Sequence, residues 1–530
     1  MKKKIILKGP LLTRSGYGEQ TRFALRSLRS RPDLYEVYIQ PLQWGQTSWI
    51  AEASSERKWI DDAIEKTIIY IQEESGKFDE SLQVTIPNEW ENMAPVNIGY
   101  TAGMETTKVA YPWIQAGNAM DSIIVVSNHS KKIYQNTVYT AKDNNTGHEV
   151  DVKLSTAVES VGYPVKEYKK VDLDLKLDTD FNFLNVTQWS IRKNLELTMR
   201  WFVEEFHNEN VGLVLKTNLA KNNLIDREET SKRIKHVLAD FPDRKCKVYL
   251  IHGEMTDEEI HSLYSHPKIN AMVSLAHGEG FGLPLFEAAY SGLPIITVGW
   301  SGHVDFLVDE QGVEHFYNVS YDMNHVQEEA VWKDVLIKES MWAYAREGSY
   351  KKNLRQCYEP KTAKKTLALC DKYAKELKTR FSEEKMYAAF ISAMSDSNQI
   401  DAVPLQDVPK ISLITSVFDS AEHIEQLMED VTRQTIFEDK CEWVILNANT
   451  PENNFEEEVI LKYAEKYPNI IYQRLKEDPG VYGVWNKAIE LSTGDYITNV
   501  NCDDRRAPWA IEHQAKALIT NPDVDLVYND

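Results

Sequence analysis

The chain of 530 residues is 42% apolar and 27% charged, with a formal net charge of −21. That length exceeds one hydrophobic core and calls for roughly two to four domains, and the composition is that of a globular protein rather than a disordered or fibrous one. The acidity opposes general attraction to phosphate backbones, which excludes nucleic acid as a main partner.

The opening MKKKIILKGPLL imitates the basic head of a signal peptide, but Lys8 and Pro10 cut the apolar run short of a secretion signal or membrane span. It reads instead as a first buried strand. LQVTIP, VNIGYTA and SIIVVSN follow within the first 130 residues, alternating with amphipathic helical stretches, and such alternation implies a parallel sheet covered on both faces. The helix TRFALRSLRSR carries Arg22, Arg26, Arg29 and Arg31, either a contact for anionic lipid or, better suited to the overall acidity, a solvated helix face.

After the polar segment KEYKKVDLDLKLDTD (166–180), a second alternating set runs from FNFLNVTQ through GLVLKTN, KVYLIHG and INAMVSLA to LPIITVG. Two Rossmann-like domains, residues 1–170 and 171–395, are therefore expected to face each other across a cleft. A loose connector, 396–409, contains Pro404 and Pro409 and leads to a third α/β set at 410–530. Cys246, Cys357, Cys370, Cys441 and Cys502 show no CxxC spacing and no histidine cluster, which suits a reducing cytoplasm.

Residues 277–297 read HGEGFGLPLFEAAYSGLPIIT. A buried carboxylate is costly unless paired or hydrogen-bonded, so Glu279 and Glu287 both need partners. The segment follows the strand INAMVSLA and precedes a helix expected near Pro284, since proline suits a first helical turn. Gly278, Gly280 and Gly282 let the backbone turn and approach a ligand, and the amides of Phe281, Gly282 and Leu283 would meet a phosphate at the positive end of that helix. Glu287, about one turn on, is placed to accept hydrogen bonds from ribose hydroxyls, and Glu279 from a sugar on the far phosphate. A sugar nucleotide satisfies both. A bare E-x7-E reads better as a tight turn with two solvated glutamates, but the whole string G-E-G-F-G-L-P-x-x-E-A-x-x-x-G-x-P between strand and helix is far more specific.

This string resembles the retaining glycosyltransferases of family 4, which have the two-domain GT-B fold, and the resemblance covers most of residues 1–395. It implies that Arg192 and Lys193, in WSIRKNLELTMRWF, face the diphosphate and, with Glu279, form the catalytic set; the alternative is an ordinary solvated cation pair. The further arginine usual after this strand is absent, with Thr187, Gln188 and Trp189 in its place. Gly16 and Gly18 resemble the family's flexible loop facing donor and acceptor. Gly103 and Glu105 fall on the acceptor side of the cleft, a helix cap being the equal alternative for Glu105. Gly253, Glu254 and Met255 resemble the turn whose backbone holds the nucleobase. The resemblance implies no metal or other cofactor for this unit.

The third set ends a strand, YITNVN, with Asp503 and Asp504. Adjacent carboxylates repel unless a cation lies beside them, and a divalent ion bridging to nucleotide phosphates would meet that need; the alternative is a polar turn. With KISLITSVF and CEWVILNAN upstream, the region resembles the nucleotide-binding part of a family 2 glycosyltransferase of GT-A fold, implying Asp503 and Asp504 as ligands for Mn2+ or Mg2+. Asn501 and Asn447 stand where the family usually has acids. Residues 410–530 cover only that nucleotide-binding half, so this unit alone is not expected to transfer sugar.

The fold expected is thus α/β, a GT-B pair of Rossmann-like domains followed by a partial GT-A domain. The function expected is retaining transfer from a nucleoside-diphosphate sugar to a glycan or lipid-linked acceptor in bacterial surface polysaccharide or glycoconjugate synthesis. The protein is expected to be cytoplasmic, with peripheral attachment to the inner face of the membrane left open. A sugar-nucleotide epimerase of the same fold and a scaffold role for the last domain are the alternatives.

Overall fold

The computed structural model describes residues 2–528 apart from 46, 74, 143–147, 404, 451, 453 and 521–523. They divide into one unit ending at Met394 and a second beginning at Ser395.

The first unit holds two six-stranded sheets. In one, the strands lie in the order Tyr35–Pro41, Lys3–Gly9, Glu80–Val84, Val96–Thr101, Ser122–Val125, Val158–Ser160, all parallel. In the other the order is Lys247–Ile251, Gly212–Asn218, Asn182–Gln188, Ala271–Ser274, Ile295–Val298, Tyr317–Val319, again all parallel. Parallel strands need helical crossovers, which cover both faces, so the central strands are buried on both sides, and the polar residues within them, Ser81, Gln83, Asn97 and Asn185, are hydrogen-bonded inside the protein. The expected strands are all present. The strands Tyr35–Pro41, Val158–Ser160 and Tyr317–Val319 escaped the sequence reading: YEVYIQP mixes polar residues among its apolar ones, and the other two are only three residues long.

The two sheets share a core. Phe281, only 4% exposed, packs edge-on against Tyr163 at 5.1 Å and near Phe286 and Phe306. Phe390, on the helix Glu383–Ala402, meets both Phe23 at 5.2 Å and Tyr100 at 5.0 Å, so the chain's return over the first sheet is fixed by aromatic contacts. An antiparallel pair, Tyr321–His325 with Met341–Ala345, adds a second tie: Thr107 and Met341 exchange two hydrogen bonds of 2.9 and 3.0 Å.

The arginine-bearing helix is a solvated face only toward its C-terminal end, at Arg29 and Arg31. Arg22 is buried and donates to the carbonyls of Leu11 and Thr13 and to Glu19; Arg26 grips Glu56 with two hydrogen bonds; Arg29 lies 4.4 Å over the Trp59 ring; Arg31 pairs with Asp33. Arg22 and Arg26 are committed to carboxylates and carbonyls inside the protein, whereas Arg29 and Arg31 stay exposed, so the periodicity that looked basic and amphipathic is in part an internal ion-pair face.

The second unit is a four-stranded parallel sheet in the order Ile470–Arg474, Cys441–Asn447, Ile411–Val417, Tyr496–Asn499. Its core gathers Trp443, Leu413, Leu427 and Ile460. The helix Glu383–Ala402 runs through part of the expected connector, so the chain is helical to Ala402 where a loose linker was anticipated.

Candidate functional site

A cleft of about 660 Å³ lies between the two sheets of the first unit, lined from one side by Gly16, Tyr17 and Glu105 and from the other by Arg192, Lys193 and the Glu279–Glu287 segment. The strand Ala271–Ser274 delivers the glycine loop to this cleft, and the helix Leu283–Tyr290 leaves from it with Pro284 in its first turn. Gly282 sits at φ +93°, a left-handed conformation open to glycine at no cost. At Gly280 the need is different: an added Cβ would lie 2.3 Å from the carbonyl oxygen of Ala102. The loop therefore also abuts the first sheet backbone to backbone, a reason for glycine beyond the ligand approach expected from sequence. Phe281 supplies a core anchor through its ring, while Gly282 and Leu283, at the helix start where amides have no intrahelical acceptor, line the cleft.

Glu279 is 7% exposed and its partners are the two cations. Lys193 Nζ donates to it at 2.5 Å, Arg192 Nη1 at 3.2 Å and also to the Gly278 carbonyl at 2.8 Å. Arg192 Nη2 reaches Glu105 across the cleft at 3.5 Å. Burial pushes the Glu279 carboxyl up, but Lys193 and Arg192 outweigh it and hold the group at about 2. The basic pair is thus no solvated surface pair. Glu105 caps no helix either, since the next one begins at Tyr111 with Ala110 at its cap.

Glu287 is held differently. It faces the same cleft, accepts a hydrogen bond of 2.9 Å from the Tyr264 hydroxyl, and is pushed by burial to about 7, above what Tyr264 and the charge of Lys166 can offset. A carboxyl with one neutral donor and unused lone pairs is ready to accept from hydroxyls of a ligand.

Gly253, Glu254 and Met255 line an adjoining cavity of about 300 Å³ with Thr187, Gln188 and Lys216. Gly253 has φ +110°, and its carbonyl accepts 2.7 Å from Lys216 Nζ. Thr256 and Glu259 close a capping box on the helix Asp257–Tyr264 behind this turn. Gly16 and Gly18, expected on a flexible loop, lie in the first turn of the helix Gly16–Ser30, whose Ser15 cap accepts from the Gly18 amide at 2.9 Å. Gly103, at φ +80°, lies two residues before Glu105 with Ser130 packed beneath it.

Three residues escaped the sequence reading. Lys216, in register with Val186 on the neighbouring strand, puts a cation beside Thr187 and Gln188 where the expected further arginine is missing; its signal was a lone lysine near the end of the buried run GLVLKTN. Tyr264 looked like helix core. Ser301, whose hydroxyl accepts from the Glu279 amide at 2.9 Å, lies 22 residues downstream without a motif.

In the second unit Asp503 and Asp504 are exposed beyond the strand Tyr496–Asn499, and Asn501 Nδ2 donates to Asp504 at 2.9 Å. No group of three or more His, Cys, Asp or Glu at metal spacing occurs among the described residues. Two carboxylates are hard oxygen donors of the kind Mg2+ or Mn2+ takes, so they fit such an ion as part of a shell that nucleotide phosphates would complete. Asn447 is fully buried with both ends of its amide used, donating to Tyr472 at 3.1 Å and accepting from the Asn449 amide at 2.9 Å.

Two parallel sheets sharing a core and a cleft, with a glycine loop and helix N-terminus at its mouth, are the GT-B architecture, here followed by an α/β unit of GT-A type. Residues 180–323 match the family model "Glycosyl transferases group 1" and residues 412–529 match "Glycosyl transferase family 2". Each of these two segments is similar to the glycosyltransferase family whose model it matches. It is similar to an uncharacterized glycosyltransferase of Methanocaldococcus jannaschii, 28% identical over 124 residues, which are 23% of this chain and 42% of that one. It is also similar to the minor teichoic acid biosynthesis protein GgaB of Bacillus subtilis, 29% identical over 94 residues, which are 18% of this chain and 10% of the relative. A crystal structure of a glycosyltransferase from Rickettsia africae aligns over 75% of this chain and all of its own length at 12% identity, with a TM-score of 0.46. The chain spans less than half the length of the curated relatives it matches. No described helix is long and apolar enough to cross a membrane.

Proposed function

We propose that the first unit transfers a sugar from a nucleoside-diphosphate sugar to a glycan or lipid-linked acceptor with retention of anomeric configuration. The observation that carries this reading is Glu279, buried in the glycine loop beneath Arg192 and Lys193, with Glu287 one turn along the following helix facing the same cleft. In this reading the helix amides and the two cations take the diphosphate, Glu287 takes the ribose, and the Gly253–Met255 turn and Lys216 border the base. Residues 1–170 supply the acceptor side and 171–395 the donor side.

As the bond from the anomeric carbon to the phosphate oxygen breaks, the electron pair goes to the leaving diphosphate, where Arg192 and Lys193 stabilise it. The acceptor hydroxyl forms the new bond on the same face, and its proton passes to a phosphate oxygen. Residues 410–530 act as a nucleotide-binding module, with Asp503 and Asp504 as the side chains that would hold Mg2+ or Mn2+ together with phosphate. A role in surface polysaccharide synthesis accords with the teichoic acid name of the GgaB relative; work at the inner membrane face from the cytoplasm belongs to the same reading.

The first test is thermal stabilisation of the intact chain by UDP, GDP, ADP and CMP, with and without Mn2+. One nucleotide at about a hundred times its dissociation constant should add roughly 2.7 kcal/mol, without metal, and Glu287→Ala should lose most of it. No shift with any nucleotide would overturn the reading.

The state of Glu287 adds a pH signature. Below pH 7 its carboxyl is protonated in the free protein, above it is ionised, and an ionised carboxylate accepts the stronger hydrogen bonds from ribose. Affinity for the preferred nucleoside diphosphate should rise by about tenfold from pH 6 to pH 8 beyond the nucleotide's own titration. Calorimetry on Glu287→Gln should show that excess slope gone. Equal slopes in both proteins would remove Glu287 from the ribose.

A further inference from the structure

The wall of the cleft opposite the glycine loop is built from the chain before the helix Gly16–Ser30 and from the loop after the strand Tyr35–Pro41. The two are laced together by backbone hydrogen bonds: Leu42 to Gly9 at 3.0 Å, Arg14 to Ser48 at 2.8 Å and Ile50 to Leu12 at 2.8 Å, with a bridge between Thr13 and Trp49. This fixes Trp44, half-buried and lining the cleft, with its ring 4.3 Å from that of Tyr17. Tyr17 is itself held by a 2.8 Å hydrogen bond between its hydroxyl and Thr101. An indole lines a polar cleft here, backed by a second ring.

Charge on this wall argues against an anionic group. Arg14 pairs with Glu52, and Arg22 and Lys166 both pair with Glu19, so its cations are spent on carboxylates, while Glu19 and Glu105 themselves line the cleft. What suits it is a neutral ligand with an apolar face and a rim of hydroxyls. A pyranose is such a ligand: its axial C–H bonds present weak positive charge to the negative face of an aromatic ring, and its hydroxyls find Thr47, Ser48 and Glu105.

We infer that this wall is the acceptor subsite and that the acceptor is a saccharide, its terminal ring stacked on Trp44. The inference rests on the transferase reading and narrows its acceptor to a sugar, not a bare lipid phosphate.

The test uses the intact chain labelled with 5-fluorotryptophan and saturated with its stabilising nucleotide. Methyl glycosides of glucose, galactose, mannose and N-acetylglucosamine, the disaccharides maltose, cellobiose and lactose, and glycerol phosphate as the anionic control are titrated by 19F NMR, with the Trp44 line assigned through Trp44→Phe. At least one sugar should move the Trp44 line, and calorimetry should show its affinity falling by about tenfold or more in Trp44→Ala but only a few-fold in Trp44→Phe. A Trp44 line unmoved by every sugar, moved only by glycerol phosphate, or a sugar affinity unchanged in Trp44→Ala overturns the inference. Nucleotide stabilisation of Trp44→Ala, recorded in parallel, reports the fold and the donor site. Its loss in the unmutated protein would defeat the transferase reading, whatever the sugars do.

Discussion

Lys193→Ala is expected to lower kcat for sugar transfer on the order of 10²- to 10³-fold while changing the donor KM far less, the usual size of effect when one preorganised donor to a developing anion is removed. In the free protein Lys193 donates to Glu279 at 2.5 Å, so in the ground state its charge is already paired. Its value to the reaction comes when the leaving diphosphate gains negative charge and draws the ammonium toward it. Arg192 is bound more widely, to the Gly278 carbonyl, Glu279 and Glu105, and Arg192→Ala should therefore lose both kcat and structural order. Single-turnover rates with saturating donor separate the chemical step from binding. A Lys193→Ala protein that keeps kcat and merely binds donor more weakly would show that the lysine is a binding residue only.

How much of this was legible in advance follows from where the partners lie along the chain. The glycine string is local: strand, turn, proline and helix lie consecutively between Ala271 and Tyr290, and turn chemistry acts over such distances. Glu279 could be marked as needing a partner from its buried context, and Arg192 and Lys193 were marked only through the family resemblance of the whole region. Their pairing spans 87 and 86 residues and exists only once two parallel strands lie side by side. Tyr264 and Lys216 stayed hidden because each looks like filling in an amphipathic helix or a buried strand. The arginine helix shows the opposite failure. Periodicity reports that one face is charged, but it cannot tell water from Glu19 and Glu56, and here the carboxylates stand where solvent was assumed.

The second unit shows a limit of a different kind. Asn447 and Asn501 were recognised as departures from an acidic pattern, and the structure gives their physical content: one is fully bonded within the sheet, the other donates to Asp504. An amide can donate where a carboxylate only accepts. Each substitution therefore turns a position suited to binding hydroxyls or cations into one that also stabilises its own loop.

Glu279→Gln should destabilise the first unit by about 3 kcal/mol at pH 7, because the carboxyl sits near 2 in the folded protein against an ordinary value near 4.5, and because breaking a buried pair strands its partners. The sign follows from the depression. A carboxylate held low contributes its full stability above its unfolded value and loses it as pH falls toward the folded one, so the gap between native protein and Glu279→Gln should be constant from pH 7 to about 5 and narrow below 4.5. Denaturant unfolding at pH 7, 5 and 4 measures this directly. The same substitution releases Arg192 and Lys193 from their internal anion, so a nucleoside diphosphate no longer has to compete for them. The ligand should consequently stabilise Glu279→Gln more than the unmutated protein even as transfer slows. A small stability gap at pH 7 together with unchanged ligand stabilisation would mean that the charge of the two cations is balanced mainly by Glu105, and that the buried glutamate of the glycine loop does not set the charge of the site.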